Sequence, residues 1–342
     1  MRLEIGAAAR FTALAGALLL SPLMTFNARA EVSEVRMATQ FGIGTLPMVI
    51  VQQRKLLEKH LAAEGLGATK VSWRQFPGGN PMNEGLLSGS LDIVSGGATV
   101  FITLWARAKD TPLAVRGVGA VSALPLELLT RNPNVNKIED LGPNDRIAVT
   151  TLRVSVHAIL LQMAAEKLWG PSGPERINRL TVQIPHGDAA TAMISNAGEI
   201  NNHFTAPPFQ DFQRRHKHIR KISSAKEILG STATYMIAYT TERFRADNPK
   251  TYKAFVAALQ EAQEMTKKEP AEMAKLYLDH SKDNLTVEET VSLIKDPDSS
   301  FALTPQNVMP FATFMAKAGI TKRAPADWKE MFFPEAQATP GS

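Results

Sequence analysis

The stretch from Val71 to Thr99, VSWRQFPGGNPMNEGLLSGSLDIVSGGAT, constrains the fold more than any other part of the chain. Its β-branched and aromatic start predicts a strand, and Pro81 is typical of the first turn of a helix that ends near Gly89. LDIVSGG is too short an apolar run for a helix and predicts a second strand. A new helix is predicted from Ala98, and the N–H groups at such a start have no partner within the helix. The pattern therefore predicts either an anion site at this helix start or a tight loop that serves packing alone.

Residues 1–30 have the features of a secretory signal peptide. Arg2 and Arg10 give a positive start, an apolar run follows from Phe11 to Phe26, and Ala28-Arg29-Ala30 matches a small-x-small cleavage site. The apolar run has sixteen residues. A spanning helix needs ~20, which argues against the alternative of a membrane anchor. We expect cleavage after Ala30 and a mature protein that is soluble in the periplasm.

Composition narrows the class of protein further. The chain has no cysteine, so we expect an exported protein without disulfides and without a lipid on cysteine. Residues 31–342 are long enough for two domains. The densest basic run, residues 214–218, has no interleaved aromatic side chains and is interpreted as a solvated face. No nucleic-acid partner is expected.

Predicted strands and helices alternate along the chain after residue 30. The alternation occurs once before about Ser122 and again after about Leu126, which predicts the α/β class with parallel sheets in two lobes. From Asn248 the chain is mostly helical, with helices predicted over 249–268 and 270–281. Ligands of open α/β sheets bind at the carboxyl ends of the strands, so the cleft between the lobes is the expected site.

Several motifs resemble the periplasmic substrate-binding proteins of bacterial ABC importers for nitrate, sulfonates and taurine. They stand in the family's order along nearly the whole chain after residue 30. They are the loop 42–47, the unit 76–93 with LLSGSLDI, the loop 96–99, the stretch 142–161, FTAPPFQ at 204–210 and WKEMFFP at 328–334. The order and spacing carry the resemblance more than any single motif does.

The resemblance implies a two-lobed periplasmic-binding-protein fold of type II-like topology, with a ligand cleft between lobes joined by two hinge crossings. The crossings are expected near 120–126 and 230–234. Lobe I would comprise residues 31–122 and 232–342, and lobe II residues 123–231. The resemblance also implies a monomeric receptor that closes on a small anion and delivers it to an ABC permease and its ATPase in the inner membrane. No cofactor and no metal are expected.

One motif departs from the family pattern and bears on the ligand. The predicted cleft wall at 203–207 is HFTAP and lacks the tryptophan and the acidic residue that many relatives carry there. An ammonium-bearing ligand such as taurine would need that carboxylate. An aliphatic sulfonate is therefore favoured, with nitrate, taurine and an organic carboxylate as alternatives.

Eight candidate ligand-binding residues follow from the resemblance and from the predicted helix starts. They are Thr45, Gly97, Thr99, Arg153, Ser155, Val156, His203 and Thr205. Those at 97–99 and 155–156 stand at two helix starts that would face the cleft from opposite lobes. Arg153 could bind a sulfonate or carboxylate through two parallel hydrogen bonds, or lie on the surface. Thr45 could bind the ligand or cap a helix.

The sequence lacks the common catalytic motifs: it has no cysteine nucleophile, no GxSxG and no zinc-binding histidine spacing. The remaining enzymatic alternative is an exported hydrolase or lyase that uses His157 or His186. Packing is the favoured role of His157. In His186-Gly187-Asp188, the favoured interpretation is that Asp188 forms a helix N-cap.

Overall fold

The computed structural model describes residues 31–338 and 340–342, so the predicted signal peptide lies outside the described residues. The strands of the described residues form two five-stranded sheets. The first sheet contains β1 (Glu34–Thr39), β2 (Lys70–Gln75), β3 (Ile93–Gly97), β4 (Val115–Ala123) and β10 (Thr234–Thr241). The second contains β5 (Glu127–Thr130), β6 (Ile147–Val149), β7 (Thr181–Gln183), β8 (Asn202–Thr205) and β9 (Arg220–Ser224).

The α-helices lie between and after these strands. In the described residues they are α1 (Leu46–Gln53), α2 (Leu56–Ala63), α3 (Gly79–Leu87), α4 (Ala98–Ala108), α5 (Val156–Trp169), α6 (Gly173–Asn178), α7 (His186–Ile194), α8 (Phe209–Arg214), α9 (Ala225–Leu229), α10 (Glu242–Asp247), α11 (Pro249–Lys268), α12 (Pro270–Ser281), α13 (Val287–Ile294) and α14 (Met309–Lys317). Short 3-10 turns cover Ile43–Thr45, Ile138–Asp140, Gly170–Ser172, Trp328–Met331 and Pro334–Gln337.

Both sheets have the same strand order, and each contains one antiparallel strand. The first has the order β2-β1-β3-β10-β4, and β10 runs antiparallel to both of its neighbours. The second has the order β7-β6-β8-β5-β9, and β5 runs antiparallel to both of its neighbours. Both sheets are therefore mixed, so the predicted α/β class is confirmed, whereas the predicted parallel arrangement does not hold for β5 and β10. Each exception is the first strand that the chain forms after it passes from the other sheet, so it enters from the opposite end.

The chain passes between the sheets twice. Residues 124–126 lead from β4 to β5, and residues 225–233, which include α9, lead from β9 to β10. The departing and returning strands are neighbours on each side, because Ala123 pairs with Thr234 and Glu127 pairs with Ser224. This arrangement gives two lobes joined by two hinge crossings. The lobe boundaries at 122/123 and 231/232 stay a prediction.

The strand–helix–strand–helix unit predicted around Val71 to Thr99 forms as expected in the first lobe. β3 is buried along its whole length, and the apolar helix α4 begins in the next residue. Phe101 of α4 packs between Tyr239 of β10 and Phe332, with ring centroids 5.2 and 5.5 Å apart respectively. These contacts fix the start of α4 at the carboxyl end of β3.

The C-terminal helices also match their predicted bounds. Pro249 and Pro270 occupy the first positions of α11 and α12, where a missing N–H costs no hydrogen bond. Thr286 and Glu289 form a capping box at the start of α13. Among the described residues, no helix combines the length and the apolar character that crossing a membrane requires.

Candidate functional site

A cavity of about 290 Å³ lies between the two sheets. Its wall contains residues that lie just beyond strands of the first sheet. Gln40 directly follows β1, and Pro77 comes shortly after the end of β2. From the second sheet, Thr150 follows β6 and Pro185 lies just after β7. The cavity thus sits at the carboxyl ends of strands from both sheets, where open α/β sheets bind their ligands.

Helix starts from both lobes also meet at this cavity. The wall includes residues at the N-terminal ends of α1, α3, α4, α5 and α7, namely Thr45, Gly79, Gly97, Ser155 and His186. Each helix start carries unpaired N–H groups and a partial positive charge of about half an elementary charge. The wall therefore favours negative charge through main-chain dipoles.

Four of the eight predicted ligand-binding residues lie on the cavity wall: Thr45, Gly97, Ser155 and Val156. The Thr45 hydroxyl donates to Gly42 O at 2.9 Å and caps no helix N–H group. The Ser155 hydroxyl accepts from Ala158 N at 3.3 Å and caps α5. These two hydroxyls therefore have partners within the protein, whereas the main-chain groups of α4 and α5 face the cavity.

The other four predicted residues are not part of the wall. Thr99 is fully buried, and its hydroxyl donates across the cleft to Val154 O at 2.5 Å. The Arg153 side chain is 60% exposed and pairs with Glu175 at 3.3 Å. His203 and Thr205 are fully buried in β8, behind the wall. Ligand contact by these four stays a prediction.

One local prediction is wrong. Pro185, not Asp188, is the N-cap residue of α7, and Asp188 lies in the first turn. The reason is that the helix begins at His186, only two residues beyond β7 (Ile184 and Pro185), which is three residues earlier than the Asp188 cap would require. His186, Gly187 and Asp188 are thereby placed on the cavity wall.

Several wall residues were not selected from the sequence as ligand-binding residues. They are Gln40, Gln75, Thr150, Phe209, Tyr235, Tyr277 and Asp283. The positions directly after β1 and β6 could have been found by listing polar residues at predicted strand ends. Tyr235 in β10 and Tyr277 in α12 reach the cavity through tertiary packing alone, for which the sequence has no local pattern.

Three buried histidines stand at and behind the second-lobe wall. The rings of His157 and His186 lie 4.7 Å apart, edge to face, and His186 Nδ1 and His203 Nε2 share a hydrogen bond of 2.8 Å. Gln213 Nε2 lies 3.1 Å from the other nitrogen of His203. Three ring nitrogens have no hydrogen-bond partner within the described chain: both nitrogens of His157 and Nε2 of His186.

Burial keeps these imidazoles neutral. Desolvation, with smaller effects of His186 and His203, lowers the pKa of His157 well below its ordinary value. Desolvation lowers the pKa of His186 to about 3. The pKa of His203 is also well below its ordinary value because of burial and the neighbouring His186. At neutral pH each ring therefore offers one N–H donor and one acceptor nitrogen.

The charged side chains on the described part of the wall are both acidic. They are Asp188 and Asp283, and the wall includes no lysine or arginine from the described residues. The Tyr277 hydroxyl donates to Asp283. Burial raises the pKa of Tyr235, which also lines the cavity, so its hydroxyl keeps its proton at neutral pH. In the described part of the chain, no group of three or more histidine, cysteine, aspartate or glutamate side chains is placed so that it could hold a metal ion.

Comparisons with known proteins bear on the fold. No protein-family model matches the chain, and no curated protein matches it. Among solved structures, it is similar to the alkanesulfonate-binding protein SsuA from Xanthomonas axonopodis pv. citri, at 18% identity and a TM-score of 0.65 over 86% of this chain and 96% of that chain. It is also similar to the periplasmic nitrate-binding protein NrtA from Synechocystis PCC 6803, at 14% identity and a TM-score of 0.67 over 88% of this chain and 85% of that chain.

A third neighbour is the Candida albicans CA3427 gene product, described as exhibiting the generic periplasmic binding protein fold. It is 14% identical, with a TM-score of 0.64 over 87% of this chain and 94% of that chain. At such identities the likeness concerns the fold alone. The chain has the two-lobed α/β fold of periplasmic binding proteins, with a cleft between lobes joined by two hinge crossings.

Proposed function

We propose that this chain is the extracytoplasmic solute receptor of an ABC importer, which binds a small organic anion in the cleft and delivers it to a membrane permease. The observation that carries the proposal is the meeting of five helix starts, from both lobes, at one cavity between the sheets. Main-chain N–H groups at helix starts bind anions without a charged side chain. The fold shared with sulfonate- and nitrate-binding proteins supports the same role.

The proposal includes the setting in which the receptor works. Residues 1–30 would direct export and be removed after Ala30, and the mature monomer would act in the periplasm. Residues 31–122 and 232–342 would form one lobe and residues 123–231 the other. Both lobes of the closed receptor would contact the permease, which an ATPase drives from the inner membrane.

The proposed ligand is a small anion: an aliphatic sulfonate is the first candidate, and taurine, organic carboxylates and the inorganic anion nitrate are the alternatives. Apolar and aromatic side chains of Val49, Val100, Phe209 and Tyr235 on the wall suit an organic body. The anionic group would lie at the starts of α4 and α5, which face each other across the cleft, since a Cβ atom on Gly97 would lie 3.4 Å from Val156 Cγ2.

Binding is favoured over the alternative of an exported hydrolase or lyase. A general base works best when its pKa is near the working pH. His186 has a pKa of about 3, and that of His157 is also well below the ordinary value, so both are weak bases at neutral pH. A receptor would bind its ligand and release it unchanged.

The direct test removes one main-chain donor from the cavity. Val156 occupies the first position of α5, where proline is tolerated, and Ser155 before it already has the extended backbone that precedes proline (φ −64°, ψ 155°). Val156→Pro should therefore keep the fold and weaken anion binding by about tenfold or more, because a hydrogen bond to a charged group contributes about 1.5–3 kcal/mol. Val156→Ala loses the same side chain, keeps the N–H group and serves as the matched control.

The measurement is isothermal titration calorimetry of the purified protein with ethanesulfonate, taurine, isethionate, nitrate, benzoate and para-hydroxybenzoate, together with product analysis. Binding of at least one anion without turnover, weakened in Val156→Pro alone, is expected. Conversion of the bound compound to a product, or equal affinity of the proline and alanine variants, would contradict the proposal.

A further inference from the structure

Some buried hydrogen-bonding atoms on the cavity wall would stay without a partner if the ligand were a simple anion. His157 is 1% exposed and lines the cavity, and neither of its ring nitrogens has a partner. Its ring is enclosed by His186, Phe204 and Tyr235, with centroids 4.7, 5.5 and 5.6 Å away. A neutral imidazole presents one donor and one acceptor, and leaving buried polar atoms unpaired costs free energy. The described protein therefore supplies a partner to neither ring nitrogen.

The neighbouring imidazole is held in place from behind. The chain of hydrogen bonds from Gln213 through His203 to His186 Nδ1 fixes the orientation of the His186 ring. Its Nε2 atom stays without a partner. The amide of Gln213 is fixed in turn by its bond to Phe209 O at 2.9 Å. The wall thus offers a preorganised polar surface rather than side chains that can rotate away.

The acidic residues add acceptors to the same cavity. Asp188 lies in the first turn of α7 and forms no hydrogen bond or ion pair within the described chain. Asp283 accepts from Tyr277 and lines the cavity from the other lobe. Ionised carboxylates only accept hydrogen bonds. Nitrate and simple alkanesulfonates also only accept, so they would leave the buried acceptor nitrogen of His157 without a donor.

From this balance we propose that the cavity selects an organic acid that carries its own N–H or O–H donor, and that His157 is the specificity-determining residue that recognises the donor. The inference rests on the proposed function and narrows its ligand class. The acidic group of the ligand lies at the helix starts. Its donor lies at His157, with the aromatic side chains Phe209 and Tyr235 against the intervening carbon body. Purely accepting anions bind weakly.

The test compares matched ligands that differ in one donor. The pairs are isethionate or taurine against ethanesulfonate, and para-hydroxybenzoate against benzoate, with nitrate as the smallest acceptor-only anion. In at least one pair, calorimetry should show the donor-bearing member binding at least tenfold more tightly to the wild-type protein. The preference is measured as the ratio of the two dissociation constants.

Two substitutions assign the preference to His157. His157→Phe keeps a ring among its aromatic neighbours and removes both nitrogens, so the ratio should fall to near one. His157→Gln restores one donor and one acceptor and should recover part of the ratio. His60→Phe removes an imidazole that pairs with Glu261 outside the cavity and should keep the wild-type ratio.

The outcomes are distinct. If no donor-bearing compound binds at least tenfold more tightly than its acceptor-only counterpart, or if nitrate binds more tightly than every donor-bearing compound, the inference is overturned and the receptor function still stands. A preference that persists in His157→Phe would overturn the role of His157. Failure of every compound to bind the folded wild-type protein would overturn the inference together with the proposed function.

Discussion

At the scale of single residues, the buried histidines tie the stability of the fold to pH. His157, His186 and His203 have pKa values below the ordinary 6.5 in the folded chain, chiefly through desolvation. Below pH 6.5 the unfolded chain therefore binds more protons than the folded chain. The free energy of unfolding contributed by these groups is fully present above pH 6.5 and is lost as the pH falls.

Removing one of these groups should flatten that dependence. Between pH 6.5 and 4.5, the free energy of unfolding should decrease less in His157→Phe than in the wild type. The difference between the two slopes should be up to about 1.4 kcal/mol per pH unit, the value for one proton. His157→Gln should show the same reduced slope, because it also removes a titrating group. Urea unfolding at several pH values gives both slopes. The carboxyls of Glu127 and Asp211, whose pKa values burial raises, contribute equally to all three proteins and cancel. Parallel curves for the wild type and both variants would contradict the expectation.

The positions of some site residues could be predicted from the sequence, whereas those of others could not. The main-chain groups at Gly97 and Val156 could be placed on the cavity from the sequence, because a helix start after a strand end fixes where N–H groups point. Arg153 could not be placed, because its left-handed backbone (φ +64°) and its pairing with Glu175 depend on how the loop closes. Tyr235 comes from a strand whose direction depends on the path between the lobes.

At the scale of elements, α4 and α5 meet head to head across the cleft. Gly97 precedes α4 with φ −59°, a conformation open to any residue, so the site requires its small size and not its flexibility. A Cβ atom there would make ordinary contact with Val156 Cγ2 at 3.4 Å. Larger side chains would overlap Val156 when the lobes are closed.

Gly97→Leu should therefore weaken binding of the best anion by about tenfold or more, since overpacking costs about 1–3 kcal/mol. Gly97→Ala should bind nearly as well as the wild type, because its added atom fits. Calorimetry measures both affinities, and thermal unfolding of the ligand-free proteins checks that the first lobe stays intact. Equal affinities of the leucine and alanine variants would contradict close contact of the two helix starts.

The elements themselves were largely predictable. The β2-to-α4 unit and helices α11 and α12 follow local patterns of apolar spacing, proline and glycine, and all of them are confirmed. The antiparallel direction of β5 and β10 was not predicted. Strand direction depends on the lobe from which the chain arrives, and the residues of a strand do not indicate that lobe.

At the scale of the whole molecule, ion pairs connect the two lobes at their surfaces. Arg215, directly after α8, pairs with Glu289 of α13 at 2.6 Å. Lys226 pairs with Asp298 at 2.7 Å, and Lys317 with Glu166 at 3.1 Å. By the proposed lobe boundaries, each pair joins one lobe to the other. Lys226 lies in the crossing segment 225–233, so the pairs that depend on closure of the lobes are Arg215–Glu289 and Lys317–Glu166.

Reversing one of these charges should favour the open receptor. Arg215→Glu places two carboxylates together and should lower ligand affinity by about 1.4- to fivefold at low salt, as expected for exposed ion pairs worth about 0.2–1 kcal/mol. The loss should shrink at high salt because ions screen the repulsion. Arg243→Glu, whose arginine pairs with Asp247 in the same helix, is the matched control. A salt-independent loss, or an equal loss in the control, would contradict a role in closure.

The pairing of β4 with β10 and of β5 with β9 limits how this molecule can move. The chain segments that leave and return to each sheet run side by side, so the two crossings act together as one hinge axis rather than as two independent linkers. Because each of these ladders lies within a single sheet, rotation of one lobe about the two crossings leaves the ladder hydrogen bonds intact. Solute must therefore enter and leave along the edge farthest from residues 124–126 and 230–233, where the gap widens first.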